Sequence, residues 1–212
     1  KVAHALNAGG KIVAGNGPVY GGYCGGAEGT AVAIAAYTFM GQLVQRGVIH
    51  HPYPTHYKLT AVNSNRPLLW AQSVAYQAVT RNTHIPLMAI PYVAAGPSSK
   101  MRYCEIASTV TAIVVSGGSL ELLGHKGGLD LDSPLDLQFA TEVGHAVLGM
   151  KTEDANEIVK RLLPNYEDHL STPPAGKKYQ ELFDVNAARP SEEHYRQYRE
   201  YKKRIADYGI PI

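Results

Sequence analysis

The sequence predicts an α/β protein built from consecutive βα units, arranged either as an open doubly wound sheet or as half of a (β/α)8 barrel of the TIM type. Three observations carry that expectation. Short apolar runs alternate with helical stretches, strand then helix, four times over, which is the pattern of a parallel sheet. The runs are nearly continuous in apolar residues, as strands covered on both faces are. Residues 1–150 hold only 16 of the 38 Lys, Arg, Asp and Glu, so this segment has to be mostly buried, against itself or a partner. A complete barrel usually takes about 250 residues, and 212 are present. A barrel reading therefore requires the other half from a separate segment or a second copy, because half a barrel leaves two open strand edges.

The elements follow in order. Lys11 to Ala14 is a glycine-bounded apolar run and reads as the first strand. Gly26 to about Gln45 is alanine-rich and free of proline, a helix that stops near Gly47. Pro52 and Pro54 make the stretch from Val48 a loop, followed by an extended Thr55–Thr60. Arg66 to Arg81 places Leu68, Leu69, Ala71, Val74, Ala75 and Val79 at helical spacing. Ile85–Ala94 is strand-like, confined by Pro86 and Pro91. Ser99–Ser116 is a third helix closed by Gly117 and Gly118. Leu120–Leu123 is a short strand, and Asp132-Ser133-Pro134 opens a fourth helix with a capping residue and a first-turn proline. A helix over Thr152 to Leu163, an extended segment over 172–190 and a last helix over Ser191 to Tyr208 complete the chain.

Two regions result: the βα units over 1–150, and C-terminal helices with an extended arm over 151–212. The second holds the other 22 charges, 11 of each sign. Its apolar and aromatic thread (Leu182, Phe183, Val185, Tyr195, Tyr198, Ile205, Ile210 and Ile212) is expected to lie over a neighbouring subunit, with folding back on its own barrel as the alternative. The net charge of +2 gives no reason to expect nucleic acid or an anionic membrane as partner. No apolar stretch reaches the roughly 18–20 residues that span a bilayer. Two cysteines, Cys24 and Cys104, make no disulfide framework and point to a reducing cytoplasm. A first residue of Lys1 suggests a fragment or a processed chain.

In parallel α/β folds the chemistry sits beyond the carboxyl ends of the strands. Four loops qualify: Gly15–Gly29, Leu59–Arg66, Pro91–Ser99 and Gly124–Asp132. Nine of the 21 glycines fall in the first 30 residues. The first loop combines backbone freedom with a helix start, a ready place for an anion, yet it has neither a Walker sequence nor a placed G-x-G-x-x-G. Tight packing explains its glycines equally well. Glu28 is either a catalytic carboxylate or a partner for the helix dipole. Cys24 is either a nucleophile at a helix start or a small buried hydrophobe. His50, His51 and His56 form the nearest histidine cluster, and His4, His56 and His125 sit near expected strand ends, but no metal-ligand spacing occurs. Tyr195, Tyr198 and Tyr201 make a stripe in the last helix, read as packing rather than a base-stacking platform.

Pro18 to Glu28, Pro-Val-Tyr-Gly-Gly-Tyr-Cys-Gly-Gly-Ala-Glu, resembles a stretch of the monomethylamine methyltransferases of methanogens. The resemblance continues in register through Asn63 and Arg66, Ala95-Gly96-Pro97 with Glu105, the Pro174-Ala175-Gly176-Lys177 turn, Asp184-Val185, Pro190, Glu193, Tyr195, Tyr198 and Gly209. Nearly the whole chain is covered, as the C-terminal half of that family's chain.

The resemblance implies a (β/α)8 TIM-type barrel, of which this chain supplies the C-terminal half plus a C-terminal arm. It implies methyl transfer from a small methylated amine to a corrinoid carried by a partner protein. The chain itself then binds no cofactor alone, and it pairs with an N-terminal half or forms a homo-oligomer. The pyrrolysine of that family belongs to the half before Lys1. Glu28 and Tyr92 become the catalytic candidates, and Gly21, Gly22, Tyr23, Gly25, Gly26, Asn63 and Arg66 the face toward substrate and corrinoid. Two positions depart from the family: Gly15 stands where it has a glutamate, and Ile90 where it has a glutamine. Those losses leave a catalytically degenerate binding or scaffold subunit as the second reading. An unrelated zinc-dependent barrel hydrolase is the third.

Overall fold

The computed structural model describes residues 1–59, 61–122 and 132–212. Helix α1 spans Val2–Asn7, strand β1 Val13–Asn16, β2 Val19–Tyr20, helix α2 Ala27–Leu43, β3 Ile49–Pro52, β4 Thr55–His56, α3 Arg66–Asn82, β5 Met88–Ala89, α4 Lys100–Val115 and β6 Ser119–Leu120. Then come α5 (Pro134–Ala146), α6 (Thr152–Leu162), α7 (Tyr179–Leu182), β7 (Phe183–Asp184), β8 (Arg189–Pro190) and α8 (Glu192–Ala206).

The strands of the units lie side by side in chain order. β1 pairs with β3 and β5 with β6, all parallel, and a parallel bridge between His50 and Leu87 joins the two pairs. Consecutive parallel neighbours, each preceded by a helix, are the arrangement of a TIM-type barrel; the strand reversal of a doubly wound sheet does not occur among them. The barrel expectation is the one the structure takes up. The β1 edge is open, and Val13 is 55% exposed.

The register shows how the first two units reach the site. Val13 pairs with Ile49, Asn16 with Pro52, Val19 with Thr55 and Tyr20 with His56. The offset is constant, so β2 and β4 continue β1 and β3 beyond a break at Pro18 and Pro54. Proline brings no N–H to the ladder. The flanking Tyr53 N–H to Asn16 O and Thr55 N–H to Pro18 O bonds, both 3.0 Å, keep the two chains together across it.

Several strand boundaries move. The second strand begins earlier, at Ile49–Pro52, and of the expected Thr55–Thr60 only Thr55–His56 is strand; the alternating burial of Ile49–Pro52 places His50 inside and His51 half-buried. Two histidines hid a strand that periodicity in apolar residues could not register. The third strand shrinks from Ile85–Ala94 to Met88–Ala89, since Pro86 and Pro91 withhold N–H groups at its ends. The first is Val13–Asn16 rather than Lys11–Ala14, and the fourth Ser119–Leu120 rather than Leu120–Leu123. Leu123, the Gly124–Asp132 loop up to Leu131, and Thr60 lie outside the described residues.

Helix boundaries follow their caps. Asn65 accepts from the Leu68 N–H, Ser99 from Arg102, Ser133 from Leu135 and Ser191 from His194. Helix α4 is the most buried helix. All residues from Met101 to Ile113 are buried, because α3, α5, α6 and α8 surround it. Its one buried arginine is ion-paired on two sides: Arg102 lies 2.7 Å from Asp132 and from Asp136, and donates to Ala95 O at 3.0 Å. Removing one partner of such a set costs on the order of 3–5 kcal/mol, because it leaves a buried charge uncompensated.

Much of the C-terminal thread folds back on its own chain, the alternative expected for it, while Val185 and Tyr195 stay exposed at 57% and 42%. Leu182, Phe183, Tyr198, Ile205 and Ile210 are buried within this chain, in one cluster with α4 and α5. The 172–190 segment is not simply extended: it forms α7 and the antiparallel β7–β8 pair. Its anchor is the Pro174–Lys177 turn, which packs so closely on Gly96 that a Cβ there would overlap Ala175 O. The Gly96 N–H donates to Pro174 O at 2.9 Å and the Lys177 N–H to Pro97 O at 3.3 Å. The tyrosine stripe of α8 is a packing stripe: the Tyr198 hydroxyl donates to Glu142 at 2.6 Å, and the Tyr201 ring tilts against Tyr103 at 4.8 Å.

Candidate functional site at the carboxyl ends of the strands

The Gly-rich loop is a closed knot of backbone. The Gly21 N–H donates to Gly25 O, Gly22 to Val19 O and Gly25 to Gly22 O. Those amides are therefore used within the loop and do not form an anion cradle. Gly21 has φ +75°, and its α-hydrogen face meets the Tyr57 ring so closely that a Cβ would collide; only glycine fits both demands. Gly22, Gly25 and Gly26 are exposed. Tyr23 is 70% exposed, and its hydroxyl donates to Gly17 O at 3.2 Å.

Glu28 lies exposed in the first turn of α2, its Oε2 3.3 Å from where a Cβ on Gly26 would stand. It faces its own helix start, as the dipole favours. Cys24 is a free, half-buried thiol, and its carbonyl is where Gly29 makes its close approach. Burial pushes the Cys104 thiol up to about 11, which keeps it protonated and inert.

Asn63 and Arg66 hold loops. Asn63 is fully buried; its Nδ2 donates to Ile90 O and its N–H to Tyr92 O, both at 3.0 Å. It thereby fixes the segment that carries Tyr92. Arg66 makes a two-pronged pair with Glu167 at 2.8 and 2.7 Å on the surface. Beneath them Glu105 accepts from the Ala94 and Ala95 N–H groups and the Ser64 hydroxyl at 2.8, 2.9 and 2.7 Å. Burial raises its pKa against those bonds.

Tyr92 belongs to a cluster that sequence reasoning did not assemble. It is half-buried, and burial first, then Glu121 and Tyr53, raise its pKa. His51 Nδ1 is 3.1 Å from Glu121 Oε2, and the Tyr53 ring meets the His51 ring edge-on at 5.3 Å. Four strand ends, those of β1 at Gly15, β3 at His51, β5 before Tyr92 and β6 before Glu121, thus converge. The signal in the sequence was the alternation of Ile49-His50-His51-Pro52, which sends adjacent histidines to opposite faces of the sheet. His50 goes the other way: it is fully buried against Gly41 of α2, and burial brings its pKa down to about 4.

The two departures from the family pattern are occupied. The Tyr53 ring crowds the place of a side chain on residue 15, its Cε1 3.2 Å from an ideal Cβ. Ile90 is buried and contributes its carbonyl to Asn63 and Tyr92.

His50, His51 and His56 do not gather: His56 stacks with Tyr57 at 5.2 Å and lies near Tyr20 at 5.3 Å on the outer ribbon. His4 is exposed on α1, not at a strand end, and His125 lies outside the described residues. Among the described residues no group of three or more His, Cys, Asp and Glu is placed to hold a metal. No helix among them is long and apolar enough to cross a membrane.

Residues 1–210 match the family model of monomethylamine methyltransferase MtmB. Monomethylamine methyltransferase MtmB of Methanosarcina mazei is 28% identical over 198 residues, 91% of this chain and 43% of its own. MtmB1 of Methanosarcina barkeri has the same identity and coverage. The crystal structure of the Methanosarcina barkeri MtmB superposes with a TM-score of 0.94 at 26% identity, over 100% of this chain and 47% of that one. The crystal structure of a hydroxylamine MtmB complex superposes with a TM-score of 0.95. The chain spans less than half the length of these relatives.

Proposed function

Because the chain belongs to the monomethylamine methyltransferase MtmB family, we propose that it forms the C-terminal half of a barrel that moves a methyl group from a small methylated amine to a corrinoid protein. The observation that carries this reading is the family match over residues 1–210, which takes in all four strand ends. Hydroxylamine, named in the complex of the similar protein, is like methylamine a small nitrogen base.

The transfer asks two things of the protein. The amine must be held with its C–N bond directed out of the mouth, and the rim must accept a broad, flat acceptor. Tyr92, inside the mouth, and Glu28, on its rim, are the side chains assigned to the transfer step. Gly21, Gly22, Tyr23, Gly25 and Gly26 form the face toward the partner, with Asn63 and Arg66 fixing the loops beside it. The exposed rings of Tyr23 and Tyr57 fit a planar macrocycle, whose reduced cobalt supplies the nucleophile. The open β1 edge, with Val13, Leu43 and Val44 exposed beside it, is where the missing half of the barrel joins. That half comes from preceding sequence or a second polypeptide, and the assembly works in the cytoplasm.

The test is methyl transfer by the barrel-complete protein from mono-, di- or trimethylamine to a corrinoid protein reduced to cobalt(I), followed by the absorbance of methylcobalt(III). Formation of methylcobalt from one of the amines is the expected result. No transfer from any of them, with intact binding of the corrinoid protein, would leave a scaffold subunit instead.

A further inference from the structure

His51 and Glu121 come from the second and fourth strands of the units. His51 pairs across the sheet with Gly15, and the Glu121 N–H donates to Ala89 O at 2.9 Å, directly beyond β6. Their facing atoms, Nδ1 and Oε2, are 3.1 Å apart, and the two side chains are 13% and 22% exposed. Two acceptors at that distance would repel each other, so the carboxylate favours a proton on Nδ1, which in the neutral ring leaves the lone pair on Nε2. His51 Nε2 is buried and has no hydrogen-bond partner among the described residues. Buried polar atoms without a partner are rare, and this one leaves an acceptor open at the ends of the strands.

We propose that His51 accepts a hydrogen bond from the N–H of the bound amine through Nε2, and that Glu121 is the positioning residue that holds His51 in the accepting tautomer. The inference rests on the amine reading of the site. Its ligand class is a small amine or ammonium carrying at least one N–H. Burial lowers the pKa of His51 and Glu121 opposes it, and the neutral ring accepts where an imidazolium would repel a cation. Tyr53, edge-on to His51, and Tyr92 supply aromatic faces suited to a small cation. The arrangement gives the pocket a carboxylate on the fourth strand, while the first strand offers only Gly15 beneath Tyr53.

The test is nitrogen-15 histidine NMR on the barrel-complete protein, with His51 assigned by through-bond experiments and methylammonium chloride as the probe. The free protein should show His51 as the Nδ1–H tautomer, and methylammonium should move its Nε2 signal saturably. Glu121→Gln should mix the tautomers and weaken methylammonium about tenfold by calorimetry, the scale of one charge-assisted hydrogen bond. If methylammonium binds the parent protein but leaves the His51 signal unmoved, this inference falls and the amine reading stands. If methylammonium does not bind the parent protein at all, both fall. If Glu121→Gln keeps the melting temperature and binds as the parent does, the role of Glu121 is overturned.

Discussion

Tyr53 covers Gly15: its Cε1 lies 3.2 Å from the position of a Cβ on that glycine, and the same ring bars any side chain on Gly17. A carboxylate cannot be put back at position 15 without moving the phenol. Gly15→Glu alone should therefore destabilise by about 1–3 kcal/mol, the usual cost of overpacking. Gly15→Glu with Tyr53→Ala should recover most of that, since the ring is what it meets. Urea unfolding of the two single variants and the double one measures the coupling. Additive effects would show that Tyr53 is not the obstacle.

Gly96 and Ala175 make the second contact that leaves no room. The glycine amide donates to Pro174 O, and a methyl group at Gly96 would overlap Ala175 O. Neither group is the free end of a flexible side chain, so the turn has to lift. Gly96→Ala should cost about 3 kcal/mol and expose the 172–190 segment to protease well before the rest of the chain. Ser98→Ala, which removes only the hydroxyl that bonds Gln197, should leave the cleavage pattern as it is. An unchanged cleavage rate in Gly96→Ala would show that the arm is held elsewhere.

These contacts mark where the sequence was readable. The βα order and the helices followed from apolar spacing, from the Gly117-Gly118 stop and from the cap at Ser133, because such signals are local. The strand at Ile49–Pro52 was not readable, since its identity lies in pairing with β1 rather than in its own composition. The arm shows the same limit: its apolar thread was visible, but the fit of the Pro174–Lys177 turn to Gly96, which lays much of it on this chain, was not. Tyr92 was found through its family stretch. His51 was singled out only within a histidine cluster and Glu121 not at all, because no spacing rule connects residues brought together by strand pairing.

Two histidines make folding depend on pH. His50 is fully buried, and burial first, then His51, lowers its pKa from 6.5 to about 4. His194 is almost fully buried beside Ser133, and burial, then Lys177, lowers it to about 4 against Glu193. Above the unfolded value of about 6.5 both rings are neutral folded or unfolded, and their contribution to stability is complete. Between about 6.5 and 4 the unfolded chain binds protons that the folded chain refuses, so stability falls as pH falls. The loss is on the order of 3 kcal/mol for each ring at about 1.4 kcal/mol per pKa unit. Urea unfolding at steps from pH 7.5 to 4.5 should give a stability curve that is steep below 6.5. His194→Gln and His50→Gln should each flatten it by about one proton's worth of slope. A curve equally steep in both variants would place the pH dependence in other groups, and a flat one in the parent protein would mean that neither ring is held neutral.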